Sequence, residues 1–188
     1  MARQGKSQLK STEENLGPNI LTLIKQQHEI LRESIEVLKS EDAEDAKKQS
    51  HLARFIPILK MHSEAEEQTI YPVLREVHDE ETEMVTLEAY TEHALAKSLV
   101  EELETSGFQY SWTPEIAAKA KVLAELVEHH AEEEEDEFFD MARENLFEIE
   151  LQSLGAEFLA KCREILPEWS AAPGPRQRRI ALSESPQL

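Results

Sequence analysis

Apolar residues recur every three or four positions along most of the chain, which predicts a series of amphipathic helices. No glycine lies between Gly17 and Gly107, and this spacing favours long helices. Thr113-Pro114 is typical of an N-cap followed by a first-turn proline, and Pro57 is expected to kink the second helix. The predicted helices cover about residues 18–40, from 42–45 to 72, 81–105, 114–141 and 148–166.

Four long helices with short connections predict an all-α, up-down-up-down four-helix bundle, with the fifth helix packed on its outside. Alternating β-branched runs, which would indicate a sheet, are absent from the sequence. The end of the chain is rich in Pro, Ser and Arg, including Arg176, Arg178 and Arg179. The predicted segments are a flexible stretch (1–15), the bundle (16–146), an additional helix (147–168) and a disordered tail (169–188).

Polar residues interrupt each apolar stripe at positions that should face the core. Each of the four helices directs one histidine inward, and two of them also direct a glutamate inward; the residues are His28, His62, Glu66, His93, His130 and Glu134. A buried carboxylate without a partner costs several kcal/mol. Because the two His/Glu pairs are spaced i,i+4, each pair shares one helix face. The pattern therefore predicts a metal centre.

An internal repeat supports this prediction. The stretch HSEAEEQTIYP from residue 62 aligns with HAEEEEDEFFD from residue 130. The repeat favours the pair His130/Glu134, and the pair His129/Glu133 remains the alternative register. Tyr71 and Phe139, near the ends of the two motifs, would either shield the centre from water or pack in the core.

The remaining chemical groups of the chain are expected to be structural or exposed. His51 and His78 fit neither the stripe nor the repeat and should lie on the surface. The acidic run 132–137 should be a solvated face, apart from Glu134. Cys162 on the fifth helix is expected to be packed.

Four histidines and two glutamates divide into two sets of two imidazoles and one carboxylate. Such a set suits non-haem Fe(II) and leaves coordination positions open. The carboxylates could bridge two metals and so offset the buried charge. Zinc or manganese would also accept these ligands.

The order His, His-x-x-x-Glu, His, His-x-x-x-Glu over residues 18–145 resembles the hemerythrin-like HHE cation-binding family. The resemblance implies an oxo- or hydroxo-bridged iron pair that binds or senses oxygen, nitric oxide or iron, or that handles peroxide. Oxygen-carrying hemerythrins have a further histidine where this chain has Lys97, which argues against stable oxygen carriage. Water or an extra carboxylate such as Glu67 would complete one iron.

The net charge of −19 argues against nucleic acid or an anionic membrane as a partner. Cys162 is the single cysteine, so an internal disulfide and a thiolate zinc cluster are excluded. The polar start of the sequence and the absence of an 18-residue apolar run lead us to expect a cytoplasmic protein.

The leading hypothesis is a di-iron protein that binds or senses a small ligand such as oxygen, nitric oxide or peroxide. Its alternatives are an enzyme of the same fold that decomposes peroxide or oxidises iron, and a metal-free helical interaction module. No substrate pocket or protein partner can be identified from the sequence.

Overall fold

The computed structural model describes residues 17–169. Over this range the chain contains helices and no strand, and none of these helices is long and apolar enough to cross a membrane. Apart from Trp169, the segments 1–15 and 169–188 and the arginines at 176, 178 and 179 lie outside the described residues. The elements are α1 (Ile20–Lys39), α2 (Asp45–Glu67), α3 (Ile70–Arg75), α4 (Glu80–Thr105), α5 (Pro114–Glu133), a π-helical turn (Glu134–Phe138), α6 (Phe139–Asn145) and α7 (Glu148–Ile165).

The four long helices α1, α2, α4 and α5 form the bundle. Helix α1 packs beside α2 and α5, and α4 packs beside the same two helices, so the four form a closed square. Helix α7 packs outside this square against α1 and α2. The predicted all-α bundle with an extra C-terminal helix is therefore confirmed.

Buried apolar side chains form two clusters, one toward each end of the bundle. The polar stripe positions lie between these clusters. On α1, for example, His28 follows Ile24 of one cluster and precedes Leu31 of the other. The inward-facing polar residues are thus enclosed by apolar layers, which exclude water and strengthen electrostatic interactions between them.

Helix α2 ends at Glu67, so the prediction of one helix to about Pro72 was wrong. A continuous helix would press the Pro72 ring against the carbonyl of Gln68. Instead the chain breaks after α2, and the Thr69 hydroxyl donates a hydrogen bond to the Ala65 carbonyl at 2.6 Å. Helix α3 then begins just before Pro72, which lies in a first turn where it needs no N–H partner.

Two other proline predictions can be compared with the structure. The Thr113 hydroxyl accepts a hydrogen bond from the Ile116 N–H at 3.3 Å, and Pro114 is the first residue of α5, so the predicted cap is confirmed. Helix α2 continues through Pro57, which lies on its exposed side. The interruption of this helix occurs only after Glu67.

The fourth predicted helix contains one more residue per turn near its end than expected. A π-helical turn at Glu134–Phe138 separates α5 from α6 and inserts an extra residue into the helical repeat. The inward face consequently moves by one position, so Ala142 is buried and Met141, predicted on the stripe, is only half-buried.

Helix α7 approaches α1 very closely at Gly155. A Cβ atom at this position would lie 2.0 Å from the carbonyl oxygen of Pro18 and 3.1 Å from the amide nitrogen of Ile20. Only glycine therefore allows this approach. Cys162, further along α7, is buried as predicted.

Gly155→Ala is expected to lower the free energy of unfolding by about 2 kcal/mol, because the added methyl group meets backbone and must push α7 away from the bundle. Chemical denaturation measures the effect. Ser153→Ala, at an exposed position of the same helix, is the matched control and should change stability by less than about 0.5 kcal/mol. An unchanged midpoint for Gly155→Ala would contradict the close packing of α7.

Candidate metal centre

The structure brings the six predicted ligands together at one level of the bundle. Four helices supply them, and Glu134 is the first residue of the π turn. All six residues are buried, and none has more than 4% of its surface exposed. They are His28 on α1, His62 and Glu66 on α2, His93 on α4, His130 on α5, and Glu134.

These side chains form two ligand groups that share Glu66. In each group, one potential ligand atom per residue lies within 4.8 Å of all the others. The Nε2 atoms of His28 and His62 are 3.2 Å apart, and those of His93 and His130 are 3.0 Å apart. Glu66 is 3.3 Å from His62 Nε2 through Oε1 and 3.6 Å from His93 Nε2 through Oε2. The first ligand group is His28, His62, Glu66 and Glu134, and the second is Glu66, His93 and His130.

Every imidazole of the centre is held at its outer nitrogen, Nδ1, by a side-chain oxygen of a neighbouring helix. Because oxygen accepts the hydrogen bond, Nδ1 carries the proton and Nε2 turns a lone pair toward the centre. The Nδ1-to-oxygen pairs are His28 with Glu135 (3.0 Å), His62 with Gln27 (3.0 Å), His93 with Glu67 (3.1 Å) and His130 with Glu92 (2.8 Å).

Three of these four acceptors are carboxylates, and Gln27 is an amide. The Nε2 group of Gln27 donates to the Cys162 sulfur of α7 at 3.4 Å, which leaves its Oε1 oxygen directed toward His62. Cys162 therefore orients the Gln27 amide, which in turn orients the predicted ligand His62.

The centre has more electron-pair donors than proton donors. Both oxygens of Glu66 and Oε2 of Glu134 are buried without a hydrogen-bond donor. Ionised carboxylates in this state are strongly destabilising unless a positive charge lies beside them. Cations between the two groups would satisfy these oxygens and the converging nitrogens. The residues present therefore fit a metal centre with nitrogen and oxygen ligands.

Burial and neighbouring charges shift the pKa values of several residues of the centre. Burial and the nearby Glu134 carboxylate raise the pKa of Glu66 well above its ordinary value, and burial lowers the pKa of His62 well below its own. For His28, burial lowers the pKa, but the neighbouring Glu134 and Glu135 carboxylates outweigh this effect, so its pKa is raised. The hydrogen bond with His28 lowers the pKa of Glu135 to about 2. Positive charge beside these carboxylates is thus favoured.

Tyr71, on α3, brings a hydroxyl group to the centre. The fully buried phenol donates to Glu134 Oε1 at 3.1 Å and lies 3.4 Å from His93 Nε2, and its ring stacks on the His93 ring. Burial raises the pKa of Tyr71 well above its ordinary value, so the hydroxyl keeps its proton. This contact goes beyond the shielding or packing expected from the sequence, whereas Phe139 packs in the apolar core.

Residues of the alternative register lie outside the centre. The side chains of His129 and Glu133 are 62% and 45% exposed, and they contact each other rather than the buried ligands. Lys97 is exposed as well. The second ligand group consequently has three protein ligands where the first has four.

Two further expectations need correction. Glu67, suggested as an extra metal ligand, instead accepts the hydrogen bond of His93. Glu135, assigned to the solvated face, is only 15% exposed and pairs with both His28 and Arg32. Of the histidines expected at the surface, His78 is exposed and His51 is half-buried.

A narrow acidic cleft leads from the surface to the second ligand group, between α4 and the helix formed by α5 and the π turn. Its volume is about 30 Å³, enough for about one or two water molecules. His130 and Glu134 line it, and carboxylates dominate the rest of its polar lining: Glu88, Glu92, Glu133 and Glu137.

The role of the four residues that hold the imidazoles was not predicted from the sequence, although a signal for it exists. Each lies directly before or directly after a predicted ligand. Gln27 and Glu92 precede the first histidine of each half, and Glu67 and Glu135 follow the glutamate of each half. The internal repeat therefore includes these positions as well.

A bundle whose interior carries two bridged groups of imidazoles and carboxylates has the architecture of metal-binding four-helix proteins. The chain belongs to the hemerythrin family, because the model of the hemerythrin HHE cation binding domain matches residues 19–142. The resemblance noted from the sequence is thus confirmed. Together, the family and the buried cluster point to metal binding.

One curated relative is a DNA nickase from Nostoc sp. (strain PCC 7120). It is 30% identical over 112 residues, which cover 60% of this chain and 30% of the nickase. The chain thus matches less than half of the length of this relative. No solved structure matches the chain significantly.

Tyr71→Phe is expected to lower the free energy of unfolding by about 1–3 kcal/mol, because Glu134 Oε1 loses its buried hydrogen-bond donor. Tyr90→Phe is the matched control, since Tyr90 packs against Tyr71 but is only partly buried and makes a longer contact of 3.4 Å to the Glu67 carbonyl. Thermal unfolding of both variants measures the difference. Equal stability of the two would contradict a special role for the Tyr71 hydroxyl.

Proposed function

We propose that the chain binds two non-haem iron ions, one in each ligand group, and that this centre binds or senses a small ligand such as oxygen, nitric oxide or peroxide. The proposal depends above all on Glu66, a fully buried carboxylate that lies between two histidine pairs and has no hydrogen-bond donor. Bound iron would supply redox chemistry and open coordination positions. Zinc and manganese are the alternative metals for the same ligands.

The difference between the two ligand groups favours small-ligand binding at the second one. This group has three protein ligands, fewer than the four to six that these metals take. The acidic cleft reaches the same group through His130. Its small volume admits only ligands of a few atoms, which favours diatomic gases and peroxide over larger substrates.

The protein itself would control protons and water at this position. The Tyr71 hydroxyl is a proton donor 3.4 Å from His93 Nε2, and its high pKa keeps it protonated. Glu92 holds His130 in the orientation that directs Nε2 inward. Phe138 contributes an apolar wall to the cleft and packs against the Tyr71 ring.

DNA nicking, the activity in the name of the Nostoc relative, does not suit the charge of this chain. The net charge of this chain, −19, would repel the phosphate backbone of DNA, which proteins usually contact through Lys and Arg.

A reducing compartment such as the cytoplasm suits the proposed ferrous centre. The presence of Cys162 as the single cysteine is compatible with such a compartment.

Anaerobic loading with Fe(II) is expected to give two irons per chain by elemental analysis. It should also raise the melting temperature, because a metal held at 100 times its Kd stabilises the fold by about 2.7 kcal/mol per site. Exposure to oxygen or nitric oxide should then change the near-ultraviolet absorption. Fewer than one iron per chain would contradict the two-metal proposal.

The same preparation distinguishes the alternative functions. A melting temperature unaffected by both iron and chelator would favour a metal-free interaction module. Sustained oxygen evolution from peroxide, lost in His62→Ala, would identify a peroxide-decomposing enzyme instead of a binding protein.

Glu66→Gln is expected to have opposite effects with and without metal. In the metal-free protein it removes a buried, unpaired carboxylate, so stability should stay equal or rise by about 1 kcal/mol. In the iron-loaded protein it removes the one residue that both ligand groups share, so most of the metal-induced rise in melting temperature should disappear. Glu64→Gln, at an exposed position of α2, is the control. Destabilisation of the metal-free variant would speak against an unpaired Glu66.

A further inference from the structure

A third group of potential metal ligands lies outside the buried centre, with two exposed residues and one, Glu92, whose side chain is only 13% exposed. It consists of Glu92, His129 and Glu133, whose potential ligand atoms lie within 4.8 Å of one another. We call it the surface triad. The His129 Nε2 atom is 3.1 Å from Glu133 Oε1, and both side chains are largely accessible. One imidazole and two carboxylates form a ligand set that suits a divalent cation such as Fe²⁺, Mn²⁺ or Zn²⁺.

The surface triad adjoins the acidic cleft that leads to the second ligand group. Glu92 and Glu133 belong to the triad and also line the cleft. Glu92 in addition accepts the hydrogen bond from Nδ1 of His130 at 2.8 Å. One carboxylate is therefore shared between the surface triad and the residues that hold the centre.

The buried end of the cleft provides an independent indication of a cation. Glu134 lines the cleft, its side chain is only 1% exposed, and its Oε2 atom has no hydrogen-bond partner. This oxygen lies 3.9 Å from His130 Nε2. A cation that enters from the surface triad would thus meet this oxygen of the first ligand group beside His130 of the second.

The electrostatic field of the cleft should also draw cations inward. Glu88 and Glu137 add two more carboxylates to its lining, and a cleft lined by charges of one sign concentrates counter-ions. Because the cleft has room for only about one or two water molecules, a cation must exchange most of its water for protein ligands before it enters. The surface triad offers such ligands beside the cleft.

We propose that the surface triad is a docking site for a divalent cation and that the acidic cleft transfers this cation to the second ligand group. The inference rests on the proposed metal centre, since it concerns how that centre is loaded. It predicts that the triad affects the rate of metal uptake, whereas the buried ligands determine how much metal is bound at equilibrium.

Stopped-flow mixing of the full chain with Co²⁺, which becomes visible by absorption when it is bound, tests the proposal. Glu133→Gln and His129→Ala should each slow uptake at limiting Co²⁺ by about three- to tenfold, at the low end of known steering effects. The final amount of bound Co²⁺ should remain that of the wild type. All of these substitutions are at exposed positions, so the fold should tolerate them.

Two comparisons separate docking from simple loss of charge. Glu132→Gln removes the same charge one residue away on α5, at an exposed position outside the triad and the cleft, and should leave the rate within about twofold of wild type. His129→Ala removes a ligand without removing negative charge. Slower uptake in His129→Ala is therefore the result that specifically supports coordination at the surface triad.

The outcomes distinguish this inference from the proposed function. If wild-type protein binds no Co²⁺ at equilibrium, the metal centre itself is contradicted, and the docking site with it. If Co²⁺ binds normally but His129→Ala and Glu133→Gln load as fast as wild type, the docking site alone is overturned. Equal slowing in Glu133→Gln and Glu132→Gln, with no effect of His129→Ala, would also overturn it in favour of general electrostatic attraction.

Discussion

Four imidazoles keep their outer nitrogens protonated through hydrogen bonds to side-chain oxygens, and the rest of the bundle interior depends on this constraint. It turns the four Nε2 atoms inward, into two groups where Glu66 and Glu134 already place unpaired oxygens. Water is excluded by apolar clusters on both sides. Positive charge stabilises an interior of this kind, so the packing of the bundle and the binding of a cation would favour each other.

The hydrogen bonds also connect the helices into a ring. An acceptor on α1 holds the imidazole of α2, one on α2 holds that of α4, one on α4 holds that of α5, and one on the π turn holds that of α1. Each connection crosses between neighbouring helices of the square. A shift of any one helix would therefore disturb two imidazoles, its own and that of the next helix. Ligand geometry and helix packing are thus a single property of the bundle.

Periodicity and burial energetics were sufficient to predict the bundle and the inward direction of all six candidate ligands, because an apolar stripe identifies the residues that interrupt it. The helix break before Pro72 and the π turn at Glu134 could not be predicted in this way. Pro72 acts through a local backbone clash, and an apolar stripe carries no sign of the extra residue that the π turn inserts. The imidazole acceptors were missed because a charged residue beside a ligand resembles a solvated surface position until its tertiary partner is known.

The amide of Gln27 occupies the one position in the ring that a carboxylate does not. Carboxylate acceptors increase the electron density of the imidazole they hold, and a neutral amide does so much less. His62 therefore lacks the carboxylate acceptor that the other three imidazoles have, although its place in the repeat matches that of His130. A duplicated motif has in this way produced a centre with two unequal ends, and this polarity is present in the polypeptide before any ligand arrives.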